Sequence, residues 1–163
     1  MREADASSVR TIYAEGIATG HATFQAEVPD WSTWNASHLA SCRIVAEEAG
    51  AVLGWAALSP VSTRAVYAGV AEISIYIGEG ARGRGVGGVL LEALQRSAET
   101  AGIWMLQAGI FPENEASIAL HRKLGFRILG RRERIGKMGY GPLRDQWRDV
   151  ALLEWRSPNV GNN

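Results

Sequence analysis

Residues 70–88 read VAEISIYIGEGARGRGVGG, and the order of patterns in this stretch decides the fold. The first eight residues alternate between an apolar face and a polar face that carries Glu72 and Tyr76, which predicts a half-buried β-strand. A run of glycines follows the strand. From Val86 onward, apolar residues recur at helical spacing as far as Gly102, which predicts an amphipathic helix ending at that glycine. A strand, a glycine-rich loop and a helix are therefore expected in direct succession.

The position of the glycine-rich loop indicates a site for a phosphate-bearing ligand. The first amides of a helix have no acceptor within the helix, and together with the helix dipole they attract anions. Glycines let phosphate oxygens approach the backbone, and two arginines add positive charge. A glycine-rich turn with two solvated arginines is the alternative. The loop reads Arg82-Gly83-Arg84-Gly85-Val86-Gly87-Gly88.

Two other kinds of phosphate-binding loop do not fit this sequence. A Walker A loop needs a lysine followed by serine or threonine at the start of the helix, and Gly85-Val86-Gly87 supplies neither. A dinucleotide-binding fold needs the glycines directly after an early first strand, whereas about seventy residues precede this strand. The loop is therefore neither a P-loop nor a dinucleotide fingerprint.

The rest of the chain alternates between predicted strands and helices, without a repeat or a linker. We therefore expect one mixed α/β domain covering residues 1–163. The further predicted elements are a first helix with Asp5 as its N-cap, a short helix from Ser32 or Thr33 to about Ser41, a hairpin of Ile44–Glu48 and Val52–Leu58, a strand Trp104–Phe111, a helix Asn114–Leu124, and strands Phe126 to about Arg134 and Gln146–Trp155.

Composition excludes several classes of protein. The chain is 47% hydrophobic and its seventeen basic residues balance seventeen acidic ones, which disfavours disorder and a dedicated nucleic-acid binder. Nine basic residues lie between Arg122 and Arg148, and we interpret them as a solvated surface, with a phosphate-facing rim as the alternative. The single cysteine, Cys42, excludes an internal disulfide and a cysteine-based metal site.

The same reading predicts a cytoplasmic protein with no membrane partner. The N-terminus lacks the apolar core of a signal peptide. The longest apolar run, Val52–Leu58, has seven residues, against about 20 needed to span a bilayer.

The loop motif Arg82-x-x-Gly85-x-Gly87 matches the Q/R-x-x-G-x-G/A signature of the GNAT N-acetyltransferases. The resemblance extends from about Arg2 to Trp155 and implies the GNAT fold. That fold has a central, mostly antiparallel twisted sheet with one splayed parallel pair and helices on both faces. The chain is similar in particular to the phosphinothricin and methionine sulfoximine acetyltransferase branch, through Thr23-Phe24, Arg64 with Tyr67, Ala71-Glu72-Ser74-Tyr76, Pro112-Glu113-Asn114 and Leu120-His121-x-x-Leu124-Gly125-Phe126.

This resemblance implies a binding site for acetyl-CoA. The loop Gly83–Gly88, with Arg82, would take the pyrophosphate, and the backbone of Ile75, Tyr76 and Ile77 would pair with the pantetheine arm. Asn114 and Ser117 would contact the same cofactor. Exposed amides where the strands separate would polarise the thioester carbonyl.

Acetylation of an amine at neutral pH requires removal of an ammonium proton and protonation of a departing thiolate. Glu72 lies on the polar face of the predicted strand, so we expect it to act as the base, directly or through water, and to be buried in a pocket that favours this role. A surface or salt-bridged glutamate is the alternative.

The resemblance places His121 where many GNAT enzymes have a proton-donating tyrosine. Its imidazole can serve as donor or base, and a packed structural histidine is the alternative. We expect His21 and His38 to lie at the surface or form local hydrogen bonds.

The acceptor site is also implied by the resemblance. Phe24, Arg64 and Tyr67, together with Glu72, match positions that line it in this branch. Arg64 would clamp an α-carboxylate, because a guanidinium binds carboxylates in a bidentate manner. An exposed loop arginine is the alternative reading.

The predicted function is therefore direct transfer of acetyl from acetyl-CoA to the α-amine of a small amino acid or analogue, such as methionine sulfoximine or phosphinothricin, without a metal. Cys42 has no His-Asp pair to activate it, so no acyl-enzyme is expected. The alternatives are a protein or peptide amine acetyltransferase of the same fold and a non-catalytic acetyl-CoA-binding module. The family commonly pairs two subunits, so we expect a homodimer that takes a small-molecule amine.

Overall fold

The computed structural model describes residues 1–161, which form one six-stranded sheet and four α-helices. The last two residues of the predicted domain 1–163, Asn162 and Asn163, lie outside the described part. The helices are α1 Ala6–Ala18, α2 Trp31–Ser37, α3 Val86–Thr100 and α4 Glu115–Lys123. The strands are β1 Arg43–Glu48, β2 Ala51–Pro60, β3 Val70–Ile77, β4 Met105–Ile110, β5 Arg127–Lys137 and β6 Trp147–Arg156.

The sheet has the strand order β1-β2-β3-β4-β6-β5. Only β3 and β4 run parallel among the described strands, and every other neighbouring pair is antiparallel. The parallel ladder joins three pairs of residues and ends at Glu72 and Gln107. β3 continues to Ile77 without β4 beside it. The predicted mostly antiparallel sheet with a splayed parallel pair is confirmed.

Helices cover both faces of the sheet, because β2 alternates between two apolar cores. On one face, Trp55 and Ala57 pack with Val9 and Ile12 of α1. On the other face, Ala56 and its neighbours pack against the apolar stripe of α3. That stripe consists of Leu90, Leu91, Leu94 and Ala98, each at most 2% exposed.

Helix α2 and strand β5 differ most from their predicted bounds. Helix α2 starts at Trp31, capped by the Asp30 carboxylate on Thr33 N (2.8 Å), and it stops at Ser37 because the Leu39 N–H donates to Leu58 O of the sheet. Asp5 is the N-cap residue of α1, as predicted, although its carboxylate accepts from Arg2 N (2.6 Å) and not from a helix amide. Strand β5 reaches Lys137, since pairing with β6 resumes after an irregularity that begins at Arg132.

Within residues 1–161, no helix combines the length and the apolar character needed to cross a membrane.

Candidate active site

The separation of β3 from β4 opens a cavity of about 700 Å³. Both faces of β3 contribute to its lining, through Glu72 and Tyr76 on one face and Ile73 and Ile75 on the other, so the cavity passes between the two strands. The loop after α1, the start of α4 and parts of β4, β5 and β6 complete it. Along its edge, β3 has backbone groups that no neighbouring strand takes up, and such groups seek a hydrogen-bonding ligand.

The glycine loop has the conformation of an anion-binding helix start. Gly85 is the N-cap of α3 with φ of 81°, a left-handed conformation that glycine adopts without strain. The first amides that donate within the helix are those of Gly88 and Val89, both to Gly85 O. The amides before Gly88 therefore point out of the helix end, as the predicted pyrophosphate site requires. Of the two loop arginines, Arg84 pairs with Glu48 at 2.6 Å.

Gly87 has a packing role as well. A Cβ at this position would lie 2.9 Å from Leu120 Cδ2 of α4 and 3.9 Å from the Ile77 side chain. Glycine here lets the first turn of α3 lie close to the Leu120 side chain of α4, while the end of β3 is at ordinary contact distance. The loop is thereby placed at the open end of the splayed pair.

His121 of α4 reaches the cavity from a buried position. Its side chain is 1% exposed and its ring packs edge-on against Phe126. Nδ1 lies 2.8 Å from Ser117 O, and since a carbonyl only accepts, Nδ1 carries the hydrogen. Nε2 is buried with no hydrogen-bond partner among the described residues. Burial lowers the pKa of His121 below its usual value, although the bond to Ser117 opposes this, so the imidazole is neutral at pH 7.

Glu72 stands where the strands separate. Gln107, its partner in the last rung of the parallel ladder, donates from Nε2 to Glu72 Oε2 at 2.8 Å. The expectation that Glu72 is buried is wrong: its side chain is exposed, because the splay opens this face of β3 to the cavity and to water. Glu72 and His121 do line the same cavity.

The structure brings only part of the predicted acceptor site together. Phe24 lines the cavity and packs edge-on against Phe111, with ring centroids 4.9 Å apart. Arg64 and Tyr67 lie in the exposed connection between β2 and β3, where the guanidinium sits 5.5 Å from the tyrosine ring centre. Neither of them is among the residues that line the cavity with Glu72.

The predicted cofactor contacts of α4 lie at the cavity, but Asn114 is already engaged. Its Oδ1 accepts from Ser117 N at 3.2 Å and so caps α4, while Nδ2 donates to His21 O at 3.4 Å. Both Asn114 and Ser117 line the cavity, together with Ile75 and Tyr76.

An aromatic wall of the cavity was not predicted. Tyr13, Trp34, His38 and Tyr76 line it, and the rings of Trp34 and His38 stack at 4.1 Å. His38 donates from Nδ1 to Trp34 O (2.7 Å), which agrees with the expected local hydrogen bond, but its ring is not at the open surface. Burial lowers the pKa of His38 and raises that of Tyr76. These four residues come from α1, α2, the residue after α2 and β3, so no single stretch of the sequence indicates the wall.

Arg148 of β6 is a further residue at this site whose burial the sequence does not predict. The basic segment was expected to be solvated, yet Arg148 is 4% exposed, with its guanidinium 4.0 Å from the Phe111 ring centre. It donates to Gly20 O (3.1 Å) and Glu113 Oε2 (3.1 Å) and lies 3.3 Å from His21 Nδ1. His21 is exposed, as expected, and its ring meets Arg148 where it lines the cavity. Arg148 joins β6, the loop after α1 and the loop before α4.

A family model for acetyltransferases, the Acetyltransferase (GNAT) family, matches residues 9–126. The chain belongs to this family. Membership confirms the predicted fold and the predicted class of enzyme, an acetyl-CoA-dependent N-acetyltransferase. The roles of individual residues stay predictions.

Three similar proteins illustrate the range of the family. An L-methionine sulfoximine/L-methionine sulfone acetyltransferase of Pseudomonas paraeruginosa is 30% identical over 93% of this chain and 88% of its own length. The structure of a phosphinothricin acetyltransferase from Sinorhizobium meliloti in complex with acetyl-CoA has a TM-score of 0.86 and 31% identity, covering 100% of this chain and 89% of that one. A ribosomal-protein-alanine N-acetyltransferase from Brucella melitensis also has a TM-score of 0.86, with 28% identity over 96% and 97% of the chains.

Within residues 1–161, no group of three or more His, Cys, Asp or Glu side chains is arranged to hold a metal ion.

We expect Arg148→Met to lower the free energy of unfolding by about 1–3 kcal/mol, because two hydrogen bonds to the guanidinium are lost and Gly20 O is left without its donor. For a chain of this length, each kcal/mol lowers Tm by roughly 2–4 °C. Thermal denaturation measures the change. Glu113→Gln is the control and should stay close to wild type, since Glu113 is 56% exposed and glutamine still accepts from Arg148. A wild-type Tm for Arg148→Met would show that this arginine does not hold the loops.

We expect the stability contributed by His121 to depend on pH. Because its pKa is lowered in the folded state, the contribution is complete above the unfolded value of about 6.5 and is lost as pH falls through the folded pKa. The Tm difference between wild type and His121→Asn should therefore shrink from about pH 7.5 to about pH 5 at constant ionic strength. Arg122→Gln, next along α4 and exposed, is the control and should give a constant difference. A constant difference for His121→Asn would mean that this ring is not kept neutral.

Proposed function

We propose that this protein transfers the acetyl group of acetyl-CoA directly to the α-amine of a small amino acid or analogue of the methionine sulfoximine and phosphinothricin class. The observation that carries the proposal is the cavity between β3 and β4, which has the exposed carboxylate of Glu72 and the buried, neutral imidazole of His121 in its lining. Its volume of about 700 Å³ is typical of sites for small molecules. The names of the Pseudomonas and Sinorhizobium proteins support the same class of acceptor.

The residues present fit acetyl-CoA as a substrate. The left-handed Gly85 and the outward-pointing amides before Gly88 suit the pyrophosphate. The unpaired edge of β3 from Ile75 to Ile77 suits an extended pantetheine arm, which would take up the backbone groups that β4 leaves unused. An amide on this edge would donate to the thioester carbonyl and stabilise the oxyanion that forms on attack.

In the proposed reaction, the acceptor ammonium first loses a proton to Glu72, directly or through water. The amine nitrogen then attacks the thioester carbon, which gives a tetrahedral intermediate with an oxyanion and a positively charged nitrogen. The nitrogen gives up its second proton, and collapse of the intermediate breaks the carbon–sulfur bond. The thiolate that leaves takes up a proton. Because His121 is neutral with an unprotonated Nε2, the geometry supports a proton-accepting role for it in the resting enzyme. It can donate to the thiolate only after it has gained a proton.

A peptide or protein amine is the second candidate acceptor, favoured by the similarity to the Brucella protein. The aromatic side chains of the lining argue against it, because Phe24, Trp34 and Tyr76 take up wall area that an extended polypeptide would need. The predicted homodimer, the cytoplasmic location and the carboxylate-binding role of Arg64 stay predictions.

The test of the proposed function is thiol release from acetyl-CoA across a panel of amines. We expect turnover with methionine sulfoximine or phosphinothricin to exceed that with polyamines and with a peptide that begins with alanine. Acetyl-CoA should also raise Tm by mass action on the folded state, whereas NADH and ATP at equal concentration should not. Faster turnover of the peptide would favour the second candidate. Stabilisation by acetyl-CoA without turnover of any amine would favour a non-catalytic binding module.

For Glu72→Gln, we expect retained folding and acetyl-CoA binding, with turnover at neutral pH reduced about 10²–10⁴-fold, the usual contribution of a general base. Glutamine can still accept from Gln107, so the local structure is kept. The loss should shrink as pH rises toward the pKa of the acceptor amine, because the substrate then arrives deprotonated. Glu92→Gln, on the exposed face of α3, is the control and should be active. A loss that does not vary with pH would mean that Glu72 positions the substrate.

A further inference from the structure

The charges in the cavity lining form a simple pattern. Among the described residues that line the cavity, one carries a carboxylate, Glu72, and one carries a guanidinium, Arg132 of β5. A third lining residue, Val150 of β6, lies directly opposite Arg132 in the ladder between β5 and β6. Because Glu72 and Arg132 line the same cavity, both charges belong to one site, although Glu72 comes from β3 and Arg132 from β5.

The register of the sheet places Arg132 and Glu72 on the same face. Glu72 pairs with Gln107, and Gln107 pairs with Glu154 of β6. Side chains two and four residues along a strand share a face, so Glu154 and Val150 lie on the side that Glu72 occupies. Arg132, opposite Val150, lies there too.

Arg132 is available for a ligand, whereas Arg127, Arg131 and Lys137 of the same strand are paired with acidic residues. Arg131, on the opposite face of β5, donates to Asp149 at 2.6 Å, and Lys137 lies 3.4 Å from Asp145. Arg127 is paired with Glu154. Within residues 1–161, Arg132 forms no salt bridge and no side-chain hydrogen bond, so its five N–H donors are unused by the protein.

The spacing of the two charges indicates which part of the acceptor meets Arg132. The Cα atoms of Glu72 and Arg132 are three strand spacings and four residues apart, roughly 20 Å in a flat sheet. The ammonium and carboxylate of an amino acid share one carbon atom, so a molecule with its amine at Glu72 brings its side chain, and not its α-carboxylate, toward Arg132.

We infer that Arg132 binds an anionic group at the end of the acceptor side chain and thereby selects acidic acceptors. This inference rests on the proposed function. An oxyanion such as a phosphinate or a side-chain carboxylate presents two oxygens to the guanidinium, which favours bidentate binding. Arg132 is then a specificity-determining residue: it binds the end of the acceptor side chain, while Glu72 of the same site accepts the proton of the acceptor amine.

Phosphinothricin and methionine sulfoximine make a matched pair of acceptors for the test. They share one skeleton, but the side chain of the first ends in an anionic phosphinate and that of the second in a neutral sulfoximine. The ratio of kcat/KM for the two acceptors is measured in wild type and in Arg132→Gln. We expect this ratio to fall about three- to tenfold in the variant, mainly through KM for phosphinothricin, since the guanidinium is exposed and water screens part of the interaction.

Two further variants test whether the effect is due to the charge at position 132. Arg132→Lys keeps the charge and should retain most of the preference. Arg131→Gln removes the adjacent arginine, which faces away from the cavity, and should leave the ratio unchanged. An unchanged ratio in Arg132→Gln, or equal losses for both acceptors, would overturn the inference while leaving the proposed function intact. A wild-type enzyme that acetylates neither acceptor, but does acetylate another amine, would contradict the proposed function and the inference together.

Discussion

Pairing between β3 and β4 stops at Glu72 and Gln107, although both strands continue, and the rest of the site depends on this interruption. A parallel strand that loses its neighbour exposes peptide groups, and unpaired peptide groups are costly unless water or a ligand takes them up. The broken ladder thus creates an extended binding edge and, beside it, a cavity that reaches both faces of the sheet. The last rung also sets the position of Glu72, whose carboxylate is held by the Gln107 side chain at the mouth of the opening.

The splay persists because helices hold its surroundings from both sides. The stripe of α3 is buried against the sheet, and glycine at position 87 avoids a close contact between the first turn of the helix and the Leu120 side chain of α4. The amides at the start of α3 that have no acceptor within the helix lie at one end of the exposed edge. At the opposite wall, Arg148 ties β6 to the loops that contain His21 and Glu113. The cavity is therefore framed by rigid elements, and its loops are anchored by a buried cation.

The sequence predicts the strand, loop and helix over residues 70–102 because local patterns dictate them: alternation, a run of glycines and an apolar stripe. It could not predict the exposure of Glu72, since alternation says which face a residue occupies and not whether that face is open. Arg132 and Arg148 looked alike, as members of one basic segment. In the folded chain they differ in position. Arg148 lies at the start of β6 and is buried, whereas Arg132 lies on β5 opposite Val150 and lines the cavity. For Arg64, the resemblance predicts a place in the acceptor site, but the position of a residue in an exposed loop depends on the path of that loop, which a sequence motif does not determine.

The different surroundings of Glu72 and His121 match the proton balance of the proposed reaction. When an ammonium becomes an amide, two protons leave the nitrogen, and only one of them is needed by the thiolate. The other must reach the solvent. An exposed carboxylate such as Glu72 can pass its proton to water in each turnover, whereas a buried imidazole with a single open nitrogen can return its proton only to a group inside the cavity. The lowered pKa of His121 favours that return, because burial disfavours the protonated ring. Exchanging the two environments would leave the thiolate without a nearby donor and the first proton without an exit.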